Sequence, residues 1–257
     1  MSECLKDFLF NALYAVLGAI ITWFFRKVSE AINKRLFKNK LLISKKEIEK
    51  DLSDIMCFMA TPDIFDNEEQ TNLGYTFEYM ALGEINSLFR YVYNAKKSIP
   101  CKMARLDSEN YFFELQNHLI LIGGPNHNSV TKSLFFSEYV NYPFSFVNNN
   151  SLVYRKPGSS AIEKIYKSKT LKGSSGDFQN DYALILNVKN PRNKQKRIIL
   201  ICGCRSIGCY GGAVFFSNHL KELKNIVRDP EYALVIECAG NNEGLIHEPK
   251  LVDYYPL

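Results

Sequence analysis

The sequence predicts an α/β domain with a Rossmann-like, mostly parallel sheet and an antiparallel edge hairpin, preceded by one transmembrane helix. Three observations predict it. Apolar strand-like runs alternate with helical patterns between residues 74 and 257. Three of those runs break into small and amide residues: GGPNHN from Gly123, GCRSIGCYGG from Gly203, and AGNN from Ala239. The segment from Phe8 to Phe25 carries no formal charge and leads directly into Arg26 and Lys27. The chain accordingly divides into a membrane helix (1–25), a basic juxtamembrane stalk and linker (26–73), and a cytoplasmic domain (74–257).

The N-terminal run is eighteen residues long. At ~1.5 Å per residue it spans ~27 Å, close to the ~30 Å of a hydrocarbon core. Trp23, Phe24 and Phe25 stand at one end, where aromatic rings favour the headgroup level. Basic residues beyond them mark the cytoplasmic side. This predicts a single-pass protein of the inner membrane with its C-terminal domain in the cytoplasm. A cleaved signal peptide, a buried core helix and an interfacial helix compete with this reading. The first lacks a basic start and a small-residue cleavage site, and the third lacks a charged face.

The net charge of +5 is unevenly spread. Residues 26–50 hold nine basic and three acidic side chains, whereas residues 51–257 hold 22 of each. The basic character suits a lipid surface and not a duplex, so nucleic-acid duplex binding is not expected. The seven cysteines are an odd number and read as reduced thiols. Cys202, Cys204 and Cys209 form a C-x-C-x4-C cluster with no second half, so neither a metal nor a cofactor is expected.

Helical spacing recurs from Arg26 to about Met59, and a polar linker covers Thr61 to Gly74. Tyr75 to Tyr93 has an apolar helical face. Strands are predicted at 101–106, 117–122 and 144–147, with a helix from about Ser129 to Tyr139 capped by Asn128 or Ser129. Residues 148–180 read as irregular. Strands at Tyr182–Val188 and Arg197–Cys202 flank Asn190-Pro191-Arg192-Asn193, a hairpin turn. A helix over Ala213–Val227 and a strand over Tyr232–Cys238 follow.

In open α/β sheets ligands bind beyond the carboxyl ends of the strands. Glycine there lets backbone N–H groups approach a ligand. The candidate binding edge is therefore Gly123, Gly124, Asn126, Asn128, Gly203, Arg205, Gly208 and Gly211. Arg205 supplies a charge for a phosphate. Neither loop is a G-x-x-x-x-G-K-[ST] or a G-x-G-x-x-G fingerprint. Ordinary tight turns explain the same glycines. Catalytic candidates are Glu84, on the helix after Gly74, and His127, in the first glycine loop. Each also reads as a solvated surface residue.

The combination of LILIGGPNHNSVT, the hairpin around NPRNKQKR and LICGCRSIGCYGGAVFF resembles Rossmann-like nucleotide-handling domains of prokaryotic defence systems, of the TIR, SLOG and CARF types. The resemblance covers about residues 74–257 and lacks the P-G-G-x-G-T loop of one SLOG branch. It implies a nucleotide-like ligand, a fused membrane helix and a place in antiphage defence. Three functions follow as expectations. The first is a sensor or effector that binds a nucleotide-like small molecule and signals to the membrane helix. The second is an anchored nucleotide- or NAD-processing hydrolase. The third is a membrane scaffold that recruits a protein partner. Small residues Ala15, Gly18 and Ala19 on one helix face suggest a homo-oligomer.

Overall fold

A computed structural model describes residues 18, 20–25, 27–28, 42–43, 52–59, 68–104, 114–136, 142–148, 150–173, 176–241 and 245–257. Eleven strands and four helices are named here. The strands are β1 (Ile55–Met59), β2 (Cys101–Met103), β3 (His118–Ile122), β4 (Phe144–Val147), β5 (Ser151–Arg155), β6 (Ile162–Lys167), β7 (Lys169–Gly173), β8 (Gly176–Asn190), β9 (Asn193–Gly203), β10 (Tyr232–Gly240) and β11 (Lys250–Pro256). The helices are α1 (Glu68–Tyr93), α2 (Ser129–Phe135), α3 (Ser206–Asn218) and α4 (Leu220–Ile226).

The main sheet has the order β11-β10-β8-β9-β3-β1-β2, with β7 beside the start of β8. The pairs β2–β1, β1–β3 and β3–β9 are parallel. The pairs β9–β8, β8–β7, β8–β10 and β10–β11 are antiparallel. This corrects the expected Rossmann-like, mostly parallel sheet: it is mixed and mostly antiparallel. The predicted hairpin exists, but it lies mid-sheet. β3 occupies the far side of β9, so β10 joins β8 and runs antiparallel to it.

Strict alternation sends each strand's residues to two covered faces. On one face Cys57, Ile120, Ile201, Ile185 and Leu234 pack under α1, α3 and α4 through Ile85, Phe89, Phe216 and Leu223. On the other Phe58, Leu121, Leu200, Leu186 and Val235 pack under α2 and a small sheet through Leu134, Phe135, Phe144 and Leu152. Covering both faces explains why all five residues of β3 are buried.

Several local expectations change. Ile55–Met59, expected as helix, is a sheet strand; its run of β-branched, sulfur and aromatic residues is buried between β3 and β2. Residues 148–180, expected to be irregular, contain β5, β6, β7 and the start of β8. β6 buries only Tyr166, so its polarity masked a strand. Of the GCRSIGCYGG loop, everything from Ser206 onward is helix.

Among the described residues, no helix is long and apolar enough to cross a membrane. This corrects the transmembrane helix, the single-pass placement and the inner-membrane location. Residues 8–17 and 19, on which most of that expectation rested, lie outside the described residues, as does most of the expected stalk.

Candidate functional site

The carboxyl ends of β1, β3, β9 and β10 gather along one edge, because β10 runs in the same direction as β9. The first two glycine loops touch there. Gly123 N donates to Ile201 O at 3.0 Å, and Gly123 turns the chain with φ 103°. A Cβ on Gly124 would meet Gly203 O at 3.6 Å. The end of β10 joins them through Gly240, where a Cβ would lie 3.5 Å from Ile207 of α3.

The start of α3 is filled from within. Asp181, fully buried at the edge end of β8, accepts from Arg205 N at 2.9 Å and from Gly208 N at 2.7 Å through Oδ2. Its Oδ1 accepts from Tyr182 N. Burial pushes its carboxyl up to about 6, against the pull of these three backbone donors. Asp181 thus takes the place that an external anion would take at this helix end.

The remaining candidates separate. Gly208 and Gly211 lie on α3, where a Cβ would come within 2.5 Å of Asp181 Oδ2 and 2.6 Å of Cys238 Cβ respectively. At Gly203 a Cβ would come within 2.2 Å of Arg205 O. These three glycines permit close packing of helix on sheet. Asn128 caps α2 by accepting from Thr131 N, while its Nδ2 donates to Phe58 O and Ile122 O. It is fully buried and ties the ends of β1 and β3 together. The Arg205 guanidinium donates to Thr170 Oγ1 at 3.2 Å. Asn126 and His127 are exposed on the turn between β3 and α2. Glu84 accepts from Ser217 Oγ at 3.1 Å, at the end of α3 remote from the glycine loops.

Two features were missed in the sequence. The first is Glu78, 8% exposed on α1, with no hydrogen-bond or ion-pair partner among the described residues. Burial pushes its carboxyl up to about 8. It faces the first turn of α3: its charge opposes ionisation of Cys209, and the adjacent Phe77 stacks on Tyr210. An acid beside Phe77 in the apolar series Ala81, Ile85, Leu88 and Val92 was the available signal.

The second is a cleft of about 300 Å³ on the opposite face of the sheet. It opens beside Pro125 and Asn126, directly after the Gly123–Gly124 turn. Phe136 and Phe146 meet edge to face in its wall, as do Phe135 and Tyr142. Lys132 and Ser145 add polar groups. Behind α2, Thr131 Oγ1 is buried without a hydrogen-bond partner among the described residues.

No family model matches the chain, and no curated protein does.

Proposed function

We propose that this domain is a sensor of a nucleotide-like small molecule, held where the Gly123–Gly124 turn meets the aromatic cleft. The cleft carries the reading. Its volume of about 300 Å³ lies at the small end of ligand sites, and ring walls beside one ammonium group suit a planar base with an attached anion. Gly124, Asn126 and Lys132 would meet the polar part, and Phe136 and Phe146 the base. Arg205, with Gly203 behind it, remains a candidate for phosphate at the neighbouring loop.

The test is a thermal-shift series on the full chain with nucleoside mono-, di- and triphosphates, cyclic oligonucleotides and NAD. At 100 times the dissociation constant a bound ligand stabilises by ~2.7 kcal/mol. A shift lost in both Phe136→Ala and Lys132→Ala supports the reading. No shift with any of these compounds overturns it and favours a scaffold for a protein partner.

A second reading, a nucleotide- or NAD-processing hydrolase, is favoured by Glu78. A carboxyl that stays protonated to about pH 8 is suited to general acid chemistry. It lies on the α1 side of the sheet, away from the cleft, so the two readings predict different footprints. Product formation followed by chromatography, abolished in Glu78→Gln and unaffected by Phe136→Ala, would select the hydrolase.

A further inference from the structure

The six described cysteines fall into two kinds. Cys202, Cys204, Cys209 and Cys238 are buried, and burial pushes each thiol up. Their sulfurs donate to backbone carbonyls: Cys202 to Leu184 O, Cys204 to Tyr166 O, Cys209 to Ile201 O and Cys238 to Asp181 O. The Cys101 sulfur also donates to a backbone carbonyl, Lys102 O, but Cys57 and Cys101 are set apart by their placement. They stand directly opposite one another on the parallel strands β1 and β2. Cys57 is fully buried, whereas Cys101 is exposed on the edge strand. Neighbouring strands lie about 4.8 Å apart, within the range of about 4.4–6.8 Å that a disulfide spans between Cα atoms.

We propose that Cys57 and Cys101 form a peroxide-responsive dithiol site, with Cys101 as the attacking thiol and Cys57 as the resolving one. The nearby Cys57 thiol pulls the Cys101 thiol down, while the Cys101 sulfur and burial hold that of Cys57 up. An exposed sulfur beside a second thiol is the arrangement that oxidises selectively. In the first step the Cys101 thiolate attacks one oxygen of a hydroperoxide. The O–O bond breaks, Cys101 becomes a sulfenic acid, and the departing oxygen takes a proton and leaves as water or an alcohol. In the second step the Cys57 sulfur attacks the sulfenic sulfur. An S–S bond forms, the S–O bond breaks, and the hydroxyl leaves as water with the Cys57 proton. Two thiols are oxidised to one disulfide and one peroxide is reduced. A thiol reductant reverses the bond by exchange. The product pins the three-residue edge strand β2 to the buried strand β1.

The test is peroxide titration of the reduced full-length protein, followed by alkylation, trypsin digestion and mass spectrometry. Hydrogen peroxide is the probe. The expected product joins the Ser98–Lys102 peptide to the peptide containing Cys57, two hydrogens lighter than its parts, and dithiothreitol reverses it. In Cys57→Ser, Cys101 is expected to pass on to sulfinic and sulfonic acids. In Cys101→Ser, an exposed-site change that leaves the core intact, Cys57 is expected to stay reduced. Equal oxidation of several cysteines, a Cys101 sulfenic acid trapped by dimedone without cross-link in the parent protein, or a Cys101–Cys101 dimer on a non-reducing gel would each overturn the proposal.

Discussion

Asp181 Oδ2 lies 2.7 Å from Gly208 N, so a buried side chain of β8 holds the first turn of α3. The same oxygen also accepts from Arg205 N. Asp181→Ala leaves these donors without a partner and is expected to cost about 3 kcal/mol in urea unfolding. Asp181→Asn keeps an acceptor and should cost less. Equal costs for the two would show that the carboxylate does not hold the helix.

Glu78 gives the protein a pH-dependent stability. Its folded value of about 8 exceeds the ordinary carboxylate value, so the folded state keeps a proton that the unfolded chain has released. Stability from this group is therefore complete below about pH 4 and is lost as pH rises through about 8. The full loss is about 5 kcal/mol or less. Glu78→Gln should match the parent at pH 4.5 and exceed it in urea unfolding at pH 8.5. A parallel pH profile for the two proteins would contradict this.

Asn128 acts at both ends of its amide. Asn128→Ala removes one acceptor and two donors, and a loss of about 3 kcal/mol is expected. Asn128→Asp keeps the cap but turns a carboxylate oxygen toward Phe58 O and Ile122 O. A simple capping role predicts a mild effect for Asp. The geometry predicts a loss at least as large as that of Ala.

Gly212 and Ala183 form a packing pair. A Cβ at Gly212 would lie 2.8 Å from the Cβ of Ala183, too close for real atoms. Gly212→Ala should destabilise by about 2 kcal/mol. In an Ala183→Gly background the same change should cost about 1 kcal/mol less. Additive effects would mean that α3 shifts away from the sheet instead.

The sequence carried the local signals well where one residue type has one physical meaning. The Asn190–Asn193 hairpin is closed by Pro191 and Arg192, with Arg192 N bonded to Asn190 Oδ1. Asn128 was legible as a cap, and the first two glycine loops do meet. What was not legible depends on distant partners. Nothing beside Gly208 announces Asp181, 27 residues away, as the anion at its helix end. Glycines that admit a ligand and glycines that admit a neighbouring side chain look alike until the sheet is assembled. The order of strands across the sheet was equally hidden, because it turns on β3 reaching β9 before β10 does.

That order has a consequence for how the chain acquires its shape. β8 and β9 are joined by two residues and can pair as soon as both exist. β3, in contrast, aligns Leu119 with Ile198, and β1 reaches the sheet only through β3. Contacts so far apart in sequence close slowly. The parallel half is thus synthesised first yet has no template until β9 emerges. In pulse-labelled hydrogen exchange during refolding, amides of β8 and β9 should become protected before those of β1 and β3. Until then the apolar strands around His118–Ile122 wait with their edges open.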